Sequence, residues 1–267
     1  MTDTPYSPDT AAAIAEGATS AGWVRNTGVP WDGDLDSYNL RALDGRTAAQ
    51  IAALRDGIGA ILSYVAPPTS TLRIMCVGDS ITVGAGSIAP GGLLDPWGNG
   101  SGPGYRPWLS YLLAQRRIAA QLAVVAEGGQ MLRQMAPRAL AALPTVRPDV
   151  VLIHLGTNDI GMDAGPDWPT RYGQLVDSIL ASSPTVRVAC ARIAHYRRPD
   201  LDAGVDQINS WVDSVVQARK SGGRVCSADM TVVSPSWTAD GTHPLDAAYL
   251  AMAQQWMNAI AAWLPAS

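Results

Sequence analysis

Several short polar blocks in this sequence sit directly after apolar runs, and they hold its best-placed candidates for covalent chemistry. Ile74-Met75-Cys76-Val77 ends at Gly78-Asp79, and Ser80 follows at once. A serine at the mouth of a buried strand is well placed as a nucleophile. It then needs a base, a group to orient that base, and donors for an oxyanion. Three histidines narrow the choice of base. His154 lies inside Val151-Leu152-Ile153-His154-Leu155 and reads as a satisfied core or strand-end residue. His195 falls in the polar stretch Ala194-His195-Tyr196-Arg197-Arg198 and reads as surface or substrate rim. His243 belongs to Asp240-Gly241-Thr242-His243-Pro244, a turn feeding a helix opened by proline. There a carboxylate three residues upstream can accept from Nδ1–H and leave Nε2 to take a proton from a hydroxyl. An ordinary turn with a helix cap would look the same.

Two further blocks offer oxyanion donors. Gly156-Thr157-Asn158-Asp159 ends an apolar run, so the Asn158 amide can point at the space in front of Ser80, although a plain Asn-Asp turn also fits. Glu127-Gly128-Gly129-Gln130 ends another run and enters a helix, which supplies backbone N–H groups with the helix dipole behind them.

From Thr71 onward, apolar runs alternate with helical periodicity. Strands are predicted at 72–77, 121–126, 149–155, 186–192 and 223–228, and helices at 104–117, 130–142, 169–182, 203–220 and 245–263. Near-continuous apolar strands such as Val150-Val151-Leu152-Ile153 imply burial on both faces, hence a doubly wound, mostly parallel sheet with ligands at its carboxyl edge. The connection from Gly84 to Gly104, rich in glycine and proline, borders that edge and suits either a substrate-facing role or a plain surface loop.

In order and spacing, Gly78-Asp79-Ser80, Gly129, Gly156-Thr157-Asn158-Asp159 and Asp240-Gly241-Thr242-His243-Pro244 resemble the SGNH (GDSL-type) hydrolases, over about residues 72–263. The resemblance implies an α/β fold, a flavodoxin-like three-layer α/β/α sandwich, and a serine esterase or lipase mechanism. It implies Ser80 as nucleophile, His243 as general base and acid, and Asp240 as the residue that orients His243. The Ser80 amide, Gly129 and Asn158 would form the oxyanion hole. The family usually carries an asparagine before the glycine of its second block, where this chain has Glu127-Gly128-Gly129, so Gly128 competes with Gly129. Gly129 is preferred because its distance to Asn158 suits the family's spacing better. Ile81 stands where leucine is commoner. The first block, Tyr105-Arg106-Pro107-Trp108-Leu109 and His154–Asp159 look most like carbohydrate esterases that remove acetyl groups from xylan.

The expected activity is therefore removal of short acyl groups, acetyl first, from a carbohydrate through an acyl-enzyme. The alternatives are a lipase or acylhydrolase on lipid or other esters, and a non-catalytic carbohydrate-binding or structural module such as a phage tail component. Trp97, Trp168 and Trp237 are aromatic faces on which a sugar could stack, and Asp79, Gly128 and His195 complete the candidate substrate contacts. Gly84-Ala85-Gly86-Ser87-Ile88-Ala89 formally fits a dinucleotide fingerprint, but it lacks the tight strand–helix setting and the downstream acidic residue. No cofactor and no metal are implied.

Composition closes off other classes. A net charge of −4 over 267 residues gives no basic footprint for nucleic acid. Cys76, Cys190 and Cys226 are an odd number in apolar runs and read as free thiols. No uninterrupted apolar segment is long enough to span a membrane, and the first residues lack the pattern of a secretory signal. A cytoplasmic protein or a component of a larger extracellular or virion assembly is expected. Residues 1–70 read as a helical and loop extension to a hydrolase domain at 71–267, with one helix over 44–65 stopped by Pro67-Pro68. Such an extension suits self-association or docking to an assembly, a layout resembling certain bacteriophage tail proteins.

Overall fold

Valine, isoleucine and leucine concentrate in five strands that leave almost no apolar side chain in water at the centre of the sheet. The structure, a computed structural model, describes residues 70–86, 104–195, 198–234, 238 and 240–265. The predicted helix at 44–65, Trp97 and Trp237 lie outside these residues. The strands are β1 (Ser70–Gly78), β2 (Ile118–Ala126), β3 (Val150–His154), β4 (Arg187–Arg192) and β5 (Val225–Asp229). All pair in parallel, in the order β2-β1-β3-β4-β5. The helices between them are α1 (Ser80–Val83), α2 (Arg106–Ala114), α3 (Leu132–Val146), α4 (Trp168–Ser182), α5 (Asp202–Gln217) and α6 (Asp246–Ile260).

Because side chains alternate across a strand, β3 feeds two cores. Val150 and Leu152 pack with Trp108, Leu109 and Leu113 of α2 and with Met252, Trp256 and Ile260 of α6. Val151 and Ile153 face the other way, toward Leu132 and Met135 of α3, Tyr172 and Val176 of α4, and Ile208 and Val212 of α5. The three-layer α/β/α sandwich expected from the sequence is the observed fold. Its strand order reverses between β1 and β3, and that switch point opens a crevice at their carboxyl ends.

Two differences from the sequence reading have simple causes. β2 begins at Ile118 rather than 121, because Ile118-Ala119-Ala120 lacks the β-branched density that marks a strand. α1 has only four residues and no apolar period to announce it.

β3 ends in His154, which is 1% exposed and has no hydrogen-bond partner for either ring nitrogen among the described residues. The sequence reading had it satisfied; it is buried but unsatisfied. Burial pushes the imidazole down from 6.5 to about 4, so it is neutral near pH 7. Between those values the unfolded chain binds the extra proton. The stability His154 contributes is therefore full above pH 6.5 and lost as pH falls toward 4, a loss of about 3 kcal/mol. His154→Leu should flatten this part of the stability profile in urea titrations run between neutral and mildly acidic pH. An unchanged slope would show that His154 is not its source.

Candidate active site

Ser80 is the first residue of α1, directly beyond the end of β1 at the switch point. The turn is tight. A Cβ at Gly78 would overlap the Thr82 side chain and come within 2.8 Å of the His154 carbonyl oxygen, so only glycine lets α1 fold back onto the strand ends. Asp79 caps the helix, its Oδ1 accepting the Ile81 N–H at 3.0 Å. The Asp79 side chain is fully buried. Burial pushes its carboxyl up to about 6, against the downward pull of the Ile81 N–H, the Thr157 side chain and His243. Asp79 thus acts inward on the turn, although the sequence reading also counted it among substrate contacts.

Across the crevice, β3 runs into Leu155-Gly156-Thr157-Asn158-Asp159, whose last three side chains each tie down a different piece of the site. Thr157 interacts with Asp79. Asn158 donates Nδ2–H to the Gln130 carbonyl at 3.0 Å, which fixes the plane of its amide and leaves the second N–H to point elsewhere. Asp159 is buried, and both its carboxylate oxygens lie 3.2 Å from the Leu132 N–H at the start of α3. It also accepts from Trp168 Nε1 at 3.0 Å. The Glu127–Gln130 turn and the start of α3 that follows it are thereby each held to the β3 turn at one point. Within it, Gly129 has φ +75°, and a Cβ at Gly128 would lie 3.7 Å from Ser80 Cβ. Gly128 therefore flanks the serine side chain, and the next peptide N–H along the chain is that of Gly129.

His243 arrives from the other direction, just before α6. Asp240 Oδ1 accepts the Thr242 N–H at 3.0 Å and the His243 N–H at 2.9 Å, while Oδ2 lies 2.7 Å from His243 Nδ1. A bridge between Thr238 and Pro244 brings the two ends of this loop together. Burial pushes the Asp240 carboxyl up, but the His243 N–H, the His243 ring and the Thr242 N–H outweigh it and hold the group at about 2. Asp240 is consequently ionised near neutral pH, and a carboxylate on Nδ1 selects the tautomer with a free Nε2 lone pair. That Nε2 lies 2.9 Å from Ser80 Oγ, 163 residues away in sequence.

Other candidates separate from this cluster. His195 Nδ1 is 3.1 Å from Asp202 and its Nε2 is 3.3 Å from Asp206, so both nitrogens face carboxylates of α5. Trp168 is fully buried, stacked on Tyr172 at 4.8 Å, and bonded to Asp159, so it is core and not a sugar platform. Sequence reasoning did not foresee the anchoring work of Thr157 and Asp159. Their adjacency to Asn158, as three polar residues in a row after an apolar strand, was the available signal.

A hydroxyl, an imidazole and a carboxylate in hydrogen-bonded series, beside an oriented amide at the carboxyl edge of a parallel sheet, define a serine hydrolase type of site. The GDSL-like Lipase/Acylhydrolase family profile matches residues 76–251, and the chain belongs to that family. Membership makes it a carboxylic ester hydrolase. Among solved structures, it is similar to a family 3 carbohydrate esterase from Clostridium thermocellum, with 23% identity, TM-score 0.59, and 72% of this chain and 96% of that one covered. A lipase/acylhydrolase from Enterococcus faecalis has 18% identity and TM-score 0.57, covering 74% and 99%. An acetyl-xylooligosaccharide esterase from Geobacillus has 17% identity and TM-score 0.54, covering 72% and 94%. These likenesses establish the shared fold. A search of curated proteins finds no match.

Asp159→Ala would leave the buried Leu132 and Trp168 N–H groups without their acceptor. A loss of about 2–4 kcal/mol in urea-unfolding stability is expected. A change below about 0.5 kcal/mol would mean that the Asp159 contacts do not hold these segments together.

Proposed function

We propose that this protein is a serine esterase that removes short acyl groups, acetyl first, from a carbohydrate, with Ser80, His243 and Asp240 as its catalytic triad. The 2.9 Å separation of His243 Nε2 from Ser80 Oγ is the observation that carries this reading. His243 takes the Ser80 proton as Oγ attacks the ester carbonyl, and Asp240 stabilises the imidazolium that forms. The carbonyl oxygen becomes an oxyanion held by the Ser80 N–H, the Gly129 N–H and the Asn158 amide. Ser80 occupies the first helical position, where the backbone N–H has no intrahelical acceptor. His243 then protonates the departing sugar oxygen, which leaves as the free hydroxyl. Water, deprotonated by the same imidazole, attacks the acyl-serine and releases the carboxylic acid.

The acetyl–carbohydrate assignment draws on the resemblance of the first block, of Tyr105–Leu109 and of His154–Asp159 to acetyl-removing carbohydrate esterases. It is also consistent with the fold shared with a carbohydrate esterase and an acetyl-xylooligosaccharide esterase.

A panel of acetylated xylo-oligosaccharides and p-nitrophenyl esters of increasing chain length tests both parts of the proposal. Turnover should be highest with acetyl and fall with chain length, and Ser80→Ala should abolish it. Asn158→Ala should retain the fold and lose roughly 100- to 1,000-fold in kcat. A preference for long-chain esters would replace the carbohydrate assignment with a lipid one. Hydrolysis surviving in Ser80→Ala would remove Ser80 from the mechanism.

A further inference from the structure

The Ser80–His243 hydrogen bond joins two loops that have no strand in common, so something must hold them in register. Four residues after the nucleophile do so. Val83-Gly84-Ala85-Gly86 leaves α1 with the Gly84 and Ala85 N–H groups both donating to the Ser80 carbonyl at 2.9 Å. Its far end lies against the base. A Cβ at Gly86, whose φ is +83°, would come within 2.7 Å of His243 Cβ and 2.8 Å of the Pro244 carbonyl oxygen. No other residue type fits between the two loops without displacing the histidine.

Two buried side chains seat this segment from below. Arg106, at the start of α2 and fully buried, donates from a guanidinium nitrogen to the Val83 carbonyl at 2.8 Å. Tyr249, in the second turn of α6 and also fully buried, donates its hydroxyl to the Ala85 carbonyl at 2.6 Å. The Tyr249 contact closes a ring: His243 leads through Pro244 and Leu245 into α6, Tyr249 reaches back to Ala85, and Gly86 abuts His243 again. A fully buried arginine and a tyrosine hydroxyl are costly to bury, and each here donates to a backbone oxygen of a segment that forms no strand.

We propose that Tyr249 and Arg106 are positioning residues that set the Ser80 Oγ–His243 Nε2 distance through the Val83–Gly86 segment. The proposal rests on the serine-esterase reading above. Neither residue touches the reacting atoms; each acts through the backbone that links nucleophile and base. Displacement of the pair by a fraction of an ångström slows acyl transfer while leaving substrate affinity alone.

Tyr249→Phe keeps the ring and removes only the hydroxyl that reaches the Ala85 carbonyl, and Arg106→Lys keeps a cation but withdraws the guanidinium nitrogen that reaches the Val83 carbonyl. For each variant, kcat on p-nitrophenyl acetate and the rate at which a serine-reactive phosphonate modifies Ser80 should fall together by roughly tenfold to a hundredfold. KM should stay within about twofold, since an interaction felt only in the transition state lowers kcat alone. A purely structural role would lower thermal stability and leave the modification rate per folded molecule unchanged, and that result would overturn the proposal. A change confined to KM would overturn it as well. If either variant does not fold, the other decides. Wild-type protein that is neither active nor modified would overturn the esterase reading and this inference with it, whereas wild-type modification matched by both variants overturns this inference only.

Discussion

Three consecutive side chains, Thr157, Asn158 and Asp159, anchor the rest of the site. They follow the most deeply buried strand of the sheet, so their backbone is the least free to move. From there Thr157 reaches the nucleophile turn, Asn158 reaches the Gln130 carbonyl and Asp159 grips the start of α3. The proposed oxyanion donors and the serine come from three separate loops. A single rigid turn in contact with all of them converts three loop positions into one, and such preorganisation is what makes an oxyanion site effective.

The two aspartates nearest the reacting groups show how surroundings set roles. Asp79 is buried beside the nucleophile, and its carboxyl is pushed up to about 6. Asp240 lies in an open turn, where three donors hold it at about 2 despite the burial it does suffer. A fixed negative charge on Nδ1 of His243 requires the second environment and not the first. Two carboxyls with opposite shifts within one site are the usual mark of divided labour. Asp79 serves the turn by capping α1, and Asp240 holds the His243 ring.

Much of this was legible in the sequence because strong local patterns agreed with the global arrangement. Val150–Ile153 and Val188–Ala191 are apolar throughout, which requires burial on both faces and hence a parallel sheet. The Asp240–His243 pairing was readable because both groups come from one turn. The anchoring by Thr157 and Asp159 was not, since a capping aspartate and an anchoring one look alike until the Leu132 N–H is seen opposite. Arg106 and Tyr249 were hidden for a similar reason. Each sits at a core position of an apolar helix, and its polar end finds a backbone oxygen supplied by a segment more than 20 residues away. His154 misled the sequence reading on satisfaction but not on burial, because apolar neighbours predict burial and say nothing of partners.

The central claim is that Ser80 is a nucleophile activated by His243. Treating the protein with a serine-reactive phosphonate and mapping the adduct by peptide mass spectrometry, in wild type and in His243→Ala, tests it most directly. Stoichiometric modification confined to Ser80, and slowed by orders of magnitude in the His243 variant, is the predicted result. Modification at another residue, no modification of the wild type, or equal rates in the two proteins would contradict it.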